Sequence, residues 1–382
     1  MATLRRSATD LTSAPGPRCG AARGPLEALE LATETERTPE DGWILETQGL
    51  TRRFGVLVAV DRLDIRVARG DIFGFLGPNG AGKTTTIRML LRLIRPTGGR
   101  ILVLGKELED HPLEVLAQVG ALIESPAFYP YLSGRRNLDV FGHYSGGVPR
   151  ARVDEVLDLV GLRDRADDPA RVYSHGMKQR LGIGQALLTR PKILFLDEPT
   201  NGLDPPGIEE MRRLFRRLAS EEGVTVFLSS HLLHEVEILC NRVAILNRGK
   251  LLVQGAVETL LDTEKVRVIL DVDRSEEAFA AISRLGWCQP SPGLLRDGRI
   301  GVIVPRARTA ELNRTLVQAG FDVSEFAPHR PSLEEFFRER LGLEPHVDET
   351  PSGPAGGSGS SGRFRLSAKV PGPAPAPGKA RV

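Results

Sequence analysis

Cysteine is scarce in this sequence, and no long run of apolar residues is present. The three cysteines, Cys19, Cys240 and Cys288, lie far apart and show neither a zinc-binding spacing nor a disulfide framework, which favours a reducing compartment. No apolar segment approaches the roughly 18 residues that a membrane-spanning helix needs, and Arg5 and Arg6 interrupt the region where a signal peptide would be apolar. We therefore expect neither a secreted protein, nor an integral membrane protein, nor a disulfide-stabilised scaffold.

The sequence also lacks an excess of charge of either sign. Lysine and arginine together number 51 and aspartate and glutamate 49, which gives a net charge of +2. Proteins dedicated to nucleic acids normally carry a strongly basic domain, so we expect no nucleic-acid partner. The 382 residues, 41% of them hydrophobic, are enough for two domains with buried cores.

Glycine and proline are abundant, at 41 and 27 residues, and many of them lie near the two ends of the chain. Residues 1–42 show no sustained apolar periodicity, and residues 343–382 are rich in proline, glycine and serine. Both compositions are typical of disordered segments. We therefore predict a disordered N-terminal arm (1–42) and a disordered C-terminal tail (343–382), and we assign no function to either.

The sequence between these ends divides into two predicted domains. Over residues 43–262, short apolar runs such as DIFGFL, ILFLDE and VTVFLSS alternate with amphipathic stretches, as in α/β proteins. Several of the runs are continuous enough for strands buried on both faces. Residues 263–342 contain two strand-like segments and two helix-like segments, and Gly286 and Gly320 would close the two helices. We predict an α/β domain over 43–262 and a small α+β accessory domain over 263–342.

The segment GPNGAGKTT matches the phosphate-binding pattern G-x-x-x-x-G-K-[ST], and it lies between a strand-like run and a helix-like stretch, as the pattern requires. In such a loop the backbone N–H groups point inward at a helix N-terminus and attract anions. Lys83 would contact the β- and γ-phosphates, and Thr84 would bind Mg²⁺. The predicted nucleotide-binding residues of this phosphate loop are Gly77, Pro78, Asn79, Gly80, Ala81, Gly82, Lys83, Thr84 and Thr85.

A second element, ILFLDE, places two acids at the end of a buried strand. Open α/β sheets bind their ligands at the carboxyl ends of the strands. Asp197 would therefore hold Mg²⁺, and Glu198 would orient or deprotonate the attacking water. Together the two elements predict a P-loop NTPase.

With these two elements and four further motifs, residues 43–262 resemble the nucleotide-binding subunit of ABC transporters. YSHGMKQR is similar to the family signature LSGGQ-x-Q-R, and NGLD, which ends at Asp204, is similar to the D-loop. His231 stands at the position of the family's switch histidine, and Phe54 stands where the family stacks an aromatic side chain on adenine. The resemblance implies an ABC ATPase cassette with a helical subdomain at about residues 126–180, ATP and Mg²⁺ as ligands, and a catalytic role for His231 beside Glu198.

The resemblance also implies a second ATP-binding subunit, most simply in a homodimer. In the family, the residues matching Ser174 and the backbone near Gly176 contact the γ-phosphate that the partner's phosphate loop holds, and Asp204 is assigned to nucleotide binding with them. Taken alone, this motif would predict only a helix N-cap at Ser174.

Glu124 stands where the family usually has a glutamine that contacts Mg²⁺ and the attacking water. A carboxylate can also coordinate Mg²⁺, so Glu124 is assigned a catalytic and a metal-binding role. A solvated turn glutamate before Pro126 is the alternative. The variants I-E-x-P-x-x-Y and S-x-G-M-K-Q-R, together with PSLEEFF near the C-terminus, resemble the bacterial exporter branch of multidrug resistance, bacitracin resistance and lantibiotic immunity.

The resemblance thus implies an ATPase subunit that powers a separately encoded transmembrane permease, an exporter of drugs or antimicrobial peptides, at the cytoplasmic face of the cell membrane. A soluble or regulatory ABC ATPase with no role in transport is the alternative. Tyr129 and Tyr131 permit two interpretations, packing in the core of the helical subdomain or lining a groove that accepts a helix of the permease. The sequence does not identify the cargo, because the permease selects it.

Overall fold

The computed structural model of the chain describes residues 42–262, 264–294 and 298–340. The predicted C-terminal tail, Cys19 and all of the predicted N-terminal arm except Gly42 lie outside the described residues. Within the described ranges, no helix combines the length and the apolar character needed to cross a membrane.

The part of the chain that carries the motifs alternates strands and helices. Its strands are β1 (Trp43–Phe54), β2 (Leu57–Leu63), β3 (Arg66–Ala68), β4 (Ile72–Leu76), β5 (Gly98–Val103), β6 (Lys106–Glu107), β7 (Val119–Leu122), β8 (Ile193–Asp197), β9 (Thr225–Ser230), β10 (Arg242–Asn247) and β11 (Lys250–Ala256). Its helices are α1 (Lys83–Leu90), α2 (Pro112–Leu116), α3 (Gly134–Tyr144), α4 (Arg150–Leu159), α5 (His175–Leu187), α6 (Pro205–Ser220), α7 (Leu233–Leu239) and α8 (Val257–Leu261).

The central sheet has the strand order β11-β10-β4-β9-β8-β7, and all neighbours are parallel except β11, which runs antiparallel to β10. Every residue of β4, β8 and β9 is buried, so successive side chains enter two different cores on the two faces. On one face the rings of Phe73, Phe75 and Phe195 surround Phe227 at centroid distances of 5.2 to 5.4 Å. This sheet confirms the predicted α/β class.

A second, antiparallel sheet is formed by the first strands of the described part of the chain, and it covers the core that contains these phenylalanines. β1 pairs with β2, β3 and β5, and β6 pairs with β5. Ile44, Leu45 and Leu50 of β1 belong to the same apolar cluster as Phe73 and Phe227. The sheet therefore fixes the end of β1, where Phe54 lies, relative to the central sheet.

Helices α3, α4 and α5 pack against the other face of the central sheet. The buried Asn137 side chain accepts a hydrogen bond from the Tyr129 N–H at 2.8 Å and donates to three nearby carbonyl groups, which fixes the loop before α3. Tyr129 and Tyr131 are nevertheless 50% and 83% exposed, so the core-packing interpretation is wrong for both. Tyr173, in contrast, is buried; its hydroxyl donates to the Arg165 carbonyl at 2.6 Å, and burial raises its pKa.

The remaining described residues form a smaller α+β arrangement. Its elements are β12 (Lys265–Val272), α9 (Ser275–Ser283), β13 (Gln289–Leu294), β14 (Ile300–Pro305), α10 (Thr309–Gln318), β15 (Val323–His329) and α11 (Leu333–Arg340). The sheet is antiparallel with the order β13-β14-β12-β15. Alternate residues of β12 and β14 are buried with apolar side chains of α9 and α10, because one face of this sheet is covered by these helices.

The two glycines predicted to close helices behave differently. Gly320 follows α10 in the left-handed conformation, with φ +81°, and its N–H donates to the Val317 carbonyl at 3.0 Å, as expected of a helix C-cap. The prediction for Gly286 is wrong. Helix α9 ends at Ser283, three residues earlier, and Gly286 does not have a positive φ.

Candidate nucleotide site

The phosphate loop connects the end of β4 to the start of α1, as the sequence predicts. Gly80 and Gly82 have φ of +81° and +104°, and a Cβ on Gly82 would lie 2.6 Å from the Ala59 carbonyl oxygen. Only glycine fits at residue 82. The loop therefore turns sharply enough to point the first N–H groups of α1 toward the space above β4, where an anion would be stabilised.

The Lys83 ammonium lies folded back under this loop. Its Nζ donates to the Gly77 carbonyl at 2.7 Å and lies 3.3 Å from Glu198 Oε1, and its side chain is buried. The residue predicted to contact phosphate is thus already held between the loop and a carboxylate. A buried ammonium beside the phosphate loop is suited to bind an anionic phosphate oxygen.

Thr84 and Asp197 meet directly, with the Thr84 hydroxyl donating to Asp197 Oδ2 at 2.8 Å. Thr84 is in the first turn of α1 and Asp197 is the last residue of β8, only 7% exposed. A hydroxyl and a carboxylate at this distance are oxygen ligands of the kind that Mg²⁺ prefers. These two side chains fit a magnesium ion beside the phosphate loop.

Glu198 lies at the centre of a charged cluster at the end of β8. One carboxylate oxygen faces Lys83 and the other contacts Nδ1 of His231. Because a carboxylate only accepts hydrogen bonds, that nitrogen carries the proton. Glu198 also has a φ of +51°, a backbone conformation that is costly for a residue with a side chain and that concentrates at functional sites. The structure therefore brings Lys83, Glu198 and His231 together.

Sequence reasoning missed Ser229, which connects the two acids. Its hydroxyl donates to Asp197 Oδ1 at 2.5 Å and accepts from the Glu198 N–H at 3.0 Å. The available signal was its place in VTVFLSS: β9 lies beside β8, so polar residues at the end of both strands meet at the same edge. Thr200 and Glu235 were also missed, and their side chains share a hydrogen bond of 2.6 Å.

The signature segment lies at the start of α5. Ser174 is the N-cap residue, and its hydroxyl accepts from the Met177 N–H at 3.2 Å; its assignment to a partner's nucleotide stays a prediction. His175, where the family pattern has glycine, places Nε2 3.2 Å from the Asn201 carbonyl oxygen. Asp204 in turn caps α6. Among the described hydrogen bonds and ion pairs, none joins Ser174, Gly176 or Asp204 to the chain's own phosphate loop.

Phe54 and Glu124 lie outside the cluster around Glu198. Phe54 is half exposed at the end of β1, and the Arg52 guanidinium lies 4.4 Å from its ring centroid. Glu124 is well exposed, has a φ of +61° and forms an ion pair with Arg88. Arg88 lies one turn after Thr84 on the same face of α1. In the described part of the chain, no hydrogen bond or ion pair joins Glu124 to the candidate magnesium ligands Thr84 and Asp197.

Comparisons with known proteins agree with this geometry. The family model described as ABC transporter matches residues 60–201. The bacitracin transport ATP-binding protein BcrA of Bacillus licheniformis is 42% identical over 300 residues, 78% of this chain and 97% of that protein. The daunorubicin resistance ATP-binding protein DrrA3 of Streptomyces coeruleorubidus is 36% identical over 314 residues, 80% of this chain and 98% of that protein.

A similar fold is found in the structure of cbiO1 from Clostridium perfringens, part of the ABC transporter complex cbiONQ. It has a TM-score of 0.54 and 26% identity, and the match covers 64% of this chain and 96% of that one. The predicted ABC cassette fold and the resemblance to the exporter branch are thereby confirmed. The chain belongs to the ATP-binding proteins of the ABC transporter family.

Proposed function

We propose that the chain hydrolyses ATP with Mg²⁺ at the phosphate loop and that this hydrolysis powers a separately encoded transmembrane exporter. The contact of one carboxylate, Glu198, with both Lys83 and His231 carries the proposal. That arrangement places a base, a cation and an imidazole N–H at the edge of the sheet where the phosphate loop begins. Binding of the nucleotide alone would not need the base.

Each side chain has a distinct role in the proposed reaction. The Lys83 ammonium balances phosphate charge. Thr84 and Asp197 would hold Mg²⁺, which when bound would supply further positive charge beside the phosphates. Glu198 accepts a proton from the attacking water. The His231 N–H donates to Glu198 Oε2, the carboxylate oxygen that does not face Lys83, and this bond fixes the base in one orientation.

A second copy of the chain would complete each site. Ser174, Gly176 and Asp204 lie at the N-terminal ends of α5 and α6, away from the contacts around Lys83. A helix N-terminus attracts phosphate, so the exposed start of α5 is suited to a nucleotide held by another subunit. The proposed assembly is a homodimer with two shared ATP sites.

The proposed permease contact is the exposed pair Tyr129 and Tyr131, whose loop is fixed by Asn137. Aromatic side chains on a rigid loop are favourable anchors at protein interfaces. This contact would place the chain at the cytoplasmic face of the membrane. The proposed cargo is a drug or an antimicrobial peptide, because the similar proteins named above are a bacitracin transport protein and a daunorubicin resistance protein.

Phosphate release by the purified full-length chain tests the catalytic part of the proposal. Glu198→Gln should lower the rate by about 10²- to 10⁴-fold, because it removes the base, and it should retain ATP binding and favour a stable dimer. Lys83→Ala should instead weaken ATP binding itself. The matched control is Glu222→Gln, an exposed glutamate in the turn before β9, which should hydrolyse ATP like the wild type. Hydrolysis by Glu198→Gln at the wild-type rate would show that Glu198 is not the base.

A further inference from the structure

Helix α11 lies between the accessory sheet and the nucleotide-binding part of the chain. Leu333, its first residue, is fully buried and belongs to the same apolar cluster as Val236 and Leu239 of α7. Phe336 and Phe337 pack against this cluster as well. Although α11 follows the accessory strands in sequence, its apolar face is therefore part of the core beneath the central sheet.

The first turn of α11 makes polar contacts within itself and with the accessory sheet. Ser332 and Glu335 form a capping box at its start, in which each side chain accepts the other's backbone N–H, at 3.2 and 3.0 Å. Glu335 also lies 3.4 Å from Arg267 Nη1 of β12 and 3.2 Å from His329 Nε2 of β15. Two strands of the accessory sheet are thus attached to the first turn of α11.

A further polar contact joins the start of α11 to α7. The Leu333 N–H, one of the first-turn donors that a helix leaves unsatisfied, donates to Glu237 Oε2 of α7 at 2.9 Å. A carboxylate at a helix N-terminus is also favoured by the helix dipole. Glu237 therefore caps a helix that is far away in sequence.

Helix α7 begins two residues after His231, and its other contacts lead to the nucleotide site. Glu235 accepts a hydrogen bond from Thr200, two residues after Glu198. Val236 packs against β4, where a Cβ added to Gly74 would lie 2.4 Å from Val236 Cγ1. The position of α7 is thus set by β4, by the segment after β8 and by α11.

We propose that Glu237 is a positioning residue for ATP hydrolysis. Its bond to Leu333 lets the accessory domain hold α7 in place. Because α7 begins two residues after His231, this also keeps His231 in the orientation that holds Glu198. The proposal rests on the function proposed above, in which Glu198 and His231 act together. The accessory domain is then a control element of the switch histidine. Displacement of its sheet would be transmitted through Glu335 and α11 to α7.

Steady-state ATPase kinetics of the full-length chain test this inference. Glu237→Ala should lower kcat by about threefold or more, because a hydrogen bond to a charged group is lost, and should leave KM for ATP within about twofold, since no nucleotide contact changes. Glu237→Gln should recover most of kcat, because the amide oxygen still accepts the Leu333 N–H. The control is Arg306→Ala, which breaks an exposed ion pair of 2.8 Å with Asp262 and should behave like the wild type.

The outcomes separate the two proposals. Unchanged kcat in Glu237→Ala, or equal losses in Glu237→Ala and Glu237→Gln, would overturn the positioning role. An equal loss in Arg306→Ala would also overturn it, because any weakening of the domain contact would then suffice. Failure of the proposed function would show differently, as wild-type hydrolysis by Glu198→Gln in the same assay. Melting temperatures of the three variants identify any loss caused by unfolding, and the glutamine variant then decides the matter.

Discussion

Replacing Ser229 by alanine should damage both the stability and the activity of the cassette. Ser229 is fully buried at the end of β9, and its hydroxyl is bonded to Asp197 and to the Glu198 backbone. Loss of a hydrogen bond to a charged group costs about 1.5–3 kcal/mol, and loss of a neutral one about 0.5–1.5 kcal/mol. The free energy of unfolding should therefore fall by about 2–4.5 kcal/mol.

Differential scanning calorimetry and phosphate release measure the two effects. For a folded region of this size, the loss corresponds to a Tm lower by about 4–8 °C. Because Ser229 orients the proposed magnesium ligand Asp197, the apparent affinity for Mg²⁺ should fall by about 10- to 100-fold, as is common when the partner of a metal ligand is removed.

Ser220→Ala is the matched control, because the Ser220 hydroxyl only donates to the Arg216 carbonyl on the exposed surface of α6. It should change stability by less than about 0.5 kcal/mol. If Ser229→Ala melts within about 1 °C of the wild type and keeps its Mg²⁺ dependence, the hydroxyl does not organise the two acids and the argument is refuted.

The other predictions concern nucleotide selectivity, coupling and packing. The half-exposed ring of Phe54 offers no hydrogen-bond donor to a base, so ATP and GTP should compete within about tenfold for the isolated chain, and a strong preference in a competition assay would contradict this. Glu124→Ala should lower permease-stimulated ATPase while Glu124→Gln is milder, since the amide retains an oxygen ligand and can still accept from Arg88; equal rates in both variants and the wild type would leave Glu124 as a turn residue. In thermal unfolding, Gly182→Ala should cost about 1–3 kcal/mol, because its Cβ would lie 2.8 Å from a proline side chain. The control is Gly286→Ala, whose Cβ meets nothing within 4 Å and which should not lose stability. Equal melting temperatures for the two variants would contradict the packing argument.

The parts of the fold that sequence predicts well are those fixed by neighbouring residues. The strands of the central sheet follow from continuous apolar runs, and the phosphate loop follows from Gly80 and Gly82, which its backbone requires. The contact of Asp197 with Thr84 was predictable because both lie at the carboxyl edge of one sheet. These features depend on local chain geometry and on one topological rule.

Contacts between distant segments could not be predicted in the same way. The ion pair of Glu124 with Arg88 depends on how a loop crosses α1, and the bond of Glu237 to Leu333 depends on the packing of a helix that follows another domain. Gly286 gave a misleading signal, because a glycine after a helix marks its end only if the chain enters the left-handed conformation there. Tyr131 was ambiguous, because an aromatic residue is equally suited to a core and to an interface.

The backbone at Glu198 has an evolutionary consequence. A left-handed conformation costs a residue with a side chain about 1–2 kcal/mol, and glycine would remove that cost, offset in part by the greater freedom of glycine in the unfolded chain. Glycine would, however, also leave the buried Lys83 ammonium and the His231 N–H without the carboxylate that both contact, and an unpaired buried charge is costly. The backbone at position 198 therefore favours glycine, whereas the charged partners of the side chain favour an acid, and a change to glycine there is not a neutral one. Under the proposed function, the carboxylate at position 198 is retained for two reasons: its charged partners need it, and it serves as the base.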